Sequence, residues 1–275
     1  MNLVFFGSSK FVIPIIEVLQ KNFDLKFVLT TENKSSDPVP SYCIKSKVCY
    51  YVVTDFRDKK ILQELTKANA DTGVLASFGA IVPNEILNLF PYGIINIHPS
   101  LLPKYRGPTP VQTAILSGDK TTGITIIKLD EEVDHGPILA QTKENILPND
   151  TSESLYERLF KLGADSIVDT IKLYLTGKIK PQEQNHRKAT FTEHLTRESG
   201  FIDLSSSLKI ENLKLKIRAY HPWPGVWTKL RIKNQELRIK FLPEKKIQVE
   251  GKKPVSYKDF LNGYPEAKEI IKLLQ

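Results

Sequence analysis

Gly93-Ile94-Ile95-Asn96-Ile97-His98-Pro99-Ser100-Leu101-Leu102-Pro103 is the stretch on which the fold turns. Its first six residues form a short apolar run rich in β-branched side chains, which reads as a buried strand. Pro99 ends that strand, because it has no N–H for a ladder. Asn96 and His98 stand two residues apart, so their side chains share one face. Both sit at the strand's C-terminal end, where open α/β sheets bind ligands.

Working outward, Gly123-Ile124-Thr125-Ile126-Ile127 reads as a second strand. It leads into the acidic turn Asp130-Glu131-Glu132-Val133-Asp134-His135-Gly136, closed by Pro137. An Asn side chain offers N–H donors to a developing oxyanion. A His takes or gives a proton, and a carboxylate beside it orients the ring. Each residue alone has a plainer reading: Asn and His cap loops, and Asp130 and Asp134 shape turns. Their combination with Leu101-Leu102-Pro103 and Arg106-Gly107 points to acyl transfer onto an amine without a metal.

Upstream, residues 3–6 read as a strand, followed by a turn at 7–9 and a helix through Ile13, Ile16, Val18 and Leu19. A strand at 25–29, a polar loop at 30–41 containing Pro38 and Pro40, a helix at 61–68 and a strand at 73–76 follow. Strands alternating with helices predict an α/β fold with a parallel sheet. Residues 150–177 carry the clearest helical pattern. Asp150 is the expected N-cap with Glu153 at N3, Leu155, Leu159 and Leu162 form a stripe, Gly163 is a candidate interruption, and Gly177 is the C′ glycine. Residues 181–192 are polar and irregular, a linker candidate. Beyond them, 213–220 reads as a helix, and 226–232 and 237–241 as strands with alternating Lys and Arg, so a small β-rich second domain is expected.

The chain has 275 residues, enough for one large domain and one small one. No apolar run approaches a membrane span, and residues 1–7 read as a first strand with no signal peptide, so a cytoplasmic location is expected. Two cysteines, Cys43 and Cys49, make no disulfide scaffold, and the five histidines show no zinc-ligand spacing. Gly-x-Gly-x-x-Gly and the P-loop pattern are absent, which argues against nicotinamide and nucleotide cofactors. Net charge is +8, and residues 204–275 hold 13 Lys and 3 Arg against 7 acidic residues, or +9. A cationic tail suits a polyanion such as RNA; a lysine-rich solvated surface is the other reading.

These motifs resemble the folate-dependent formyltransferases, and most of all the branch that formylates methionyl-tRNA. The resemblance spans nearly the whole chain. It implies a Rossmann-like formyltransferase domain with a mostly parallel sheet over residues 1–185, a linker at 186–203 and an OB-like β-barrel at 204–275. It implies 10-formyltetrahydrofolate as donor, no metal, and the α-amino group of methionyl-tRNA as acceptor, the reaction that prepares initiator tRNA for translation. A monomer is expected. Asn96, His98 and Asp134 match the family's catalytic residues. Ser100, Leu101, Leu102, Pro103, Phe78, Ile81, Asp130, Val133 and Gly136 match its folate-contacting segments. Lys34, Arg106, Lys229, Arg231, Lys252 and Lys253 are the expected RNA contacts. Sugar-nucleotide N-formyltransferases share the core, and some share Pro222-Trp223-Pro224-Gly225; they are the alternative. Residues 188–203 and 251–261 favour the RNA branch. Two features depart from it: residues 32–38 carry one Lys where a longer basic insertion is usual, and the chain is short after Phe241.

Overall fold

A computed structural model describes residues 1–204, 210–232, 235–268 and 271. Two compact units emerge. The first comprises residues 1–108, 121–145 and 156–192; the second comprises 109–120, 146–155 and 193–275. The units do not follow one cut in the sequence. The second takes 109–120 and 146–155 from inside the stretch expected to form the catalytic domain, and the first keeps 186–192 from the expected linker.

In chain order the first unit runs β1 (Asn2–Gly7), α1 (Ile13–Asn22), β2 (Asp24–Thr30), α2 (Pro38–Ser46), β3 (Tyr50–Val52), α3 (Lys59–Ala68), β4 (Thr72–Ala76), α4 (Asn84–Leu87) and β5 (Ile94–His98). After α5 (Pro110–Leu116), part of the second unit, come β6 (Thr121–Lys128), β7 (Ile138–Asn145) and α6 (Ser152–Leu175). The seven strands are ordered β3-β2-β1-β4-β5-β6-β7. The first five run parallel, and β6 and β7 turn antiparallel. Central β1 has Leu3, Val4, Phe5 and Phe6 wholly buried, as a parallel strand covered on both faces must be. Edge strand β7 alternates buried or half-buried with exposed positions.

The polar loop expected through residue 41 stops at Asp37. There α2 begins at Pro38, a first-turn position where the missing N–H costs nothing, and buries Val39, Pro40 and Cys43. Helix α6 is continuous through Gly163. A Cβ at that position would meet Ile97 Cγ2 at 2.9 Å, so the glycine lets the helix approach β5. The cap of α6 is also not the expected one. Thr151 Oγ1 accepts from Ser154 N (3.2 Å) while Ser154 Oγ accepts from Thr151 N (3.1 Å), a reciprocal box. Asp150 Oδ2 accepts instead from Leu147 N. Gly177 takes the left-handed C′ conformation, φ +69°.

The second unit contains α5, α7 (Ile210–Ala219), β8 (Val226–Ile232), β9 (Gln235–Leu242), β10 (Lys246–Val249), β11 (Val255–Ser256) and α8 (Tyr257–Gly263). Its strands form an antiparallel sheet ordered β11-β10-β9-β8. Arg218 of α7 donates to Asp150 O and Leu147 O, and Ser152 Oγ donates to His221 O, which ties segment 146–155 into this unit. Strand alternation separates two faces. Val226, Thr228, Leu230, Ile232, Ile239, Phe241, Ile247 and Val249 are buried, while Lys229, Arg231, Arg238, Lys240 and Lys246 occupy the other face. Of the tail's lysines, Lys209, Lys233 and Lys272 lie outside the described residues.

An alanine in a helix ordinarily outdoes glycine by about 1 kcal/mol. At Gly163 the added methyl would press on the stiff β-branched Ile97, and overpacking of that kind costs about 1–3 kcal/mol. Gly163→Ala is therefore expected to lower the urea-derived unfolding free energy by about 1 kcal/mol. The same change made in an Ile97→Ala background should be neutral or stabilising. A stabilising Gly163→Ala in the parent chain would show that the helix does not depend on that close approach.

Candidate active site

Strand β5 delivers Asn96 and His98 to the sheet's C-terminal end, 5% and 4% exposed. Asp134 meets them from the turn between β6 and β7. Its Oδ1 accepts from Asn96 Nδ2 at 3.1 Å and lies 3.4 Å from His98 Nδ1. Its Oδ2 accepts from Gly107 N at 2.8 Å. The opposite ring atom, His98 Nε2, is 2.9 Å from Tyr105 O. A carbonyl only accepts, so Nε2 carries a proton and Nδ1 is the atom presented to the carboxylate. Tyr105 is itself held, its N donating to Thr190 Oγ1 at 2.8 Å.

The acidic turn is a constrained piece of backbone. Asp134 has φ +50°, a left-handed conformation that costs a side-chain-bearing residue about 1–2 kcal/mol. A Cβ on Gly136 would lie 1.8 Å from Lys128 O, so only glycine fits. At the front of the turn, Asp130 Oδ2 pairs with His135 Nδ1 at 2.6 Å and Asp130 Oδ1 accepts from Glu132 N. The His135 ring stacks on His186 at 4.0 Å.

Residues 100–103 are fixed by a polar row that crosses three strands. His98 pairs in register with Thr125 of β6, and Thr125 with Gln141 of β7. Thr125 Oγ1 donates to Ser100 O (2.6 Å) and accepts from Leu102 N (3.0 Å) and Gln141 Nε2 (2.9 Å). Gln141 Nε2 also reaches Leu102 O. Ser100 is fully buried, with Oγ bonded to Lys104 O. Leu101 and Pro103 remain half-buried, while Leu102 faces the interior. Sequence reading missed Thr125, Gln141 and Gln184. For Thr125 the signal was present: a hydroxyl inside an otherwise apolar run.

Two expectations need correction. Phe78, expected among the folate contacts, is 2% exposed, and its ring packs edge-on against Phe6 at 5.6 Å, so the ring itself belongs to the core. Arg106 is 3% exposed and cannot meet an RNA phosphate. Its Nη2 instead serves Gln184 Oε1 (2.8 Å) and His186 Nδ1 (2.9 Å), and its guanidinium lies over the Phe191 ring. By contrast, Ile81 and Val133 are 79% and 54% exposed, apolar groups available to cover a flat heterocycle.

Lys34 is exposed. The carboxylates beside it are committed: Glu32 accepts from Ser9 N and Val39 N, and Asp37 from Lys34 N. Lys229, Arg231, Lys252 and Lys253 are all exposed on the second unit. Lys229 pairs with Glu236, and Lys252 donates to Tyr264 Oη. On the same unit, Arg197, Trp227, Arg238, Lys240 and Gln248 line a cleft of about 240 Å³. Burial pushes the Cys43 thiol up to about 11, which disqualifies it as a nucleophile. No helix among the described residues is long and apolar enough to cross a membrane.

The Formyl transferase family model matches residues 6–171. A methionyl-tRNA formyltransferase of Roseiflexus sp. (strain RS-1) is 38% identical over 84% of this chain and 74% of its own. One from Buchnera aphidicola subsp. Schizaphis graminum is 35% identical over 82% and 74%. Among solved structures, a methionyl-tRNA formyltransferase from Clostridium thermocellum superposes with TM-score 0.64 at 21% identity, covering 93% of this chain and 99% of its own. A sugar N-formyltransferase from Shewanella sp FDAARGOS_354 gives 0.70 at 21%, covering 89% and 98%. The two structural likenesses establish the shared fold.

Gly136→Ala is expected to expel the turn from its place against Lys128. Limited proteolysis should then cut within residues 130–137 at least about tenfold faster, the protection lost when a turn opens locally. A variant as resistant as the parent would mean the turn tolerates a side chain there.

Proposed function

The chain belongs to the formyl transferase family, in its methionyl-tRNA formyltransferase branch, and from that premise we propose that it moves the formyl group of 10-formyltetrahydrofolate onto the α-amine of methionyl-tRNA. The observation that carries the chemistry is the convergence of Asn96 Nδ2 and His98 Nδ1 on one carboxylate oxygen of Asp134. That arrangement gathers two oxyanion donors and a proton acceptor at one strand end.

The amine nitrogen attacks the formyl carbon. A C–N bond forms, and the carbonyl electron pair moves onto oxygen. Asn96 Nδ2–H and the protonated imidazole of His98 stabilise that oxyanion. Asp134 takes the proton the amine sheds, directly or through a water, and holds the ring throughout. Collapse breaks the bond to N10 of the folate, and N10 takes up the proton that Asp134 received from the amine, which returns Asp134 to its carboxylate form. The exposed side chains Ile81 and Val133 and the backbone of residues 100–103 and 130–136 are the surfaces for the pterin. The Phe78 ring belongs to the core.

For the acceptor, support comes from relatives named for methionyl-tRNA and from the cationic face of β8, β9 and β10. Lys229 and Arg231 stand on that face, and Lys252 and Lys253 follow β10. These cations would meet RNA phosphates, and Lys34 adds one more from the first unit.

His98→Ala is expected to reduce turnover by roughly two to four orders of magnitude, the loss of an acid–base group and an oxyanion donor together. Formylation of methionyl-tRNA by the purified variant at the parent rate would sink the assignment. Neutralising Lys229, Arg231, Lys252 and Lys253 together should raise the KM for methionyl-tRNA steeply. It should also flatten the salt dependence by roughly 0.7–0.9 log units per lost phosphate contact, whereas Lys34→Ala should cost about one contact. A larger effect from Lys34 than from the four would place the RNA on the first unit. Turnover of an amino-sugar nucleotide with none of methionyl-tRNA would move the acceptor to the other branch.

A further inference from the structure

Residues 181–192 look like a linker in sequence, yet one of them reaches the centre of the site. We propose that Gln184 is a positioning residue for the transfer reaction: it sets the backbone of the Asp134 turn and thereby the carboxylate that Asn96 and His98 share. The inference rests on the reading that those three residues carry formyl transfer.

Gln182 forms an isolated bridge with Ile138 at the start of β7, N to O in both directions (2.9 and 2.7 Å). Two residues on, the same side of the extended chain delivers Gln184 beneath the turn. It is 5% exposed, the one buried residue between 181 and 188. Its Nε2 donates to Asp134 O at 2.9 Å and to Gly136 O at 2.8 Å. Its Oε1 accepts from Arg106 Nη2 at 2.8 Å. Two carbonyls require the NH₂ end and a guanidinium requires the oxygen, so the amide has one orientation, with both hydrogens used.

The turn needs such a hold. Asp134 occupies a left-handed conformation, which persists only when its surroundings over-determine it. Arg106 and Gly107 complete the grip from adjacent positions. The Gly107 N–H takes the Asp134 carboxylate, and the Arg106 side chain braces the Gln184 amide that takes the Asp134 carbonyl. Arg106 is braced in turn by the segment carrying Gln184: its N donates to Thr190 O, and its O accepts from Thr192 N. A displacement of about 1 Å in a catalytic group can cost on the order of a hundredfold in rate, so loosening this frame should register in turnover.

A merely structural role is separable from positioning by choice of substitution. Gln184→Glu keeps the length and keeps an oxygen for Arg106, now as an ion pair, but removes both donors to the turn. Gln184→Met keeps the volume and donates nothing. Both are expected to lower kcat about ten- to a hundredfold, with the KM for methionyl-tRNA within about twofold of the parent. The unfolding midpoint of at least one should stay near the parent value. A folded Gln184→Glu or Gln184→Met protein with parental kcat overturns the inference. So does a fall in kcat matched by a fall in the folded fraction for both variants. Parent and His98→Ala measured alongside keep the two readings apart. An active parent silenced by His98→Ala upholds the chemistry whatever Gln184 does, and an inactive parent overturns both.

Discussion

One oxygen organises this molecule: Asp134 Oδ1, on which an amide and an imidazole from the same strand converge. A carboxylate withdrawn from water must find donors for its lone pairs, or its charge becomes a large penalty. Here the Asn96 Nδ2–H serves one oxygen, with His98 Nδ1 3.4 Å from it, and the Gly107 N–H serves the other. The left-handed residue and the glycine at 136 belong to the turn that brings that carboxylate to that strand end. Nothing in the arrangement asks for a mobile group to arrive. For the proposed transfer, donors fixed in advance are the condition under which electrostatic stabilisation is most effective.

The second unit obeys the same rule of alternation with different content. Period-two patterning in β8 and β9 puts apolar residues on one face and cations on the other, so one rhythm makes both a core and a charged surface. Trp227 stands on the charged face yet is 7% exposed, roofed by the Arg238 guanidinium 4.6 Å above its ring. A basic face of this kind needs no pocket to attract a polyanion, since its field acts at a distance.

Much of this was legible in the chain. Asn96 and His98 could be placed on one face because strand geometry depends only on spacing. The α6 stripe and the Gly177 terminus were readable because helix ends are local chemistry. Most of what failed was long-range or depended on burial; the α6 cap failed locally, because Thr151 and Ser154 offer the same box one residue beyond Asp150. Arg106 and an RNA-facing arginine look alike in sequence, because charge says nothing about exposure. Phe78 matches a folate-contacting segment in sequence, and nothing local there shows that Phe6 and Phe56 pack against its ring. Gln184 meets its partners about fifty residues away, inside a run of polar residues that offers no periodicity. The start of α2 was hidden by Pro38 and Pro40, which suit a loop and a helix's first turn equally well.

Glu32 holds a quieter position. Its two oxygens take the Ser9 N–H, beyond β1, and the Val39 N–H, in the first turn of α2, at 2.8 and 2.9 Å. One side chain thus clasps the stem of the loop at residues 33–37, while the loop itself contributes little to the core. Length in that segment is thermally cheap, since closure entropy grows only with the logarithm of loop size. The clasp makes this surface a grafting port. Added residues between 33 and 37 would leave the scaffold below in register, since the clasp that joins the loop's two ends lies outside them.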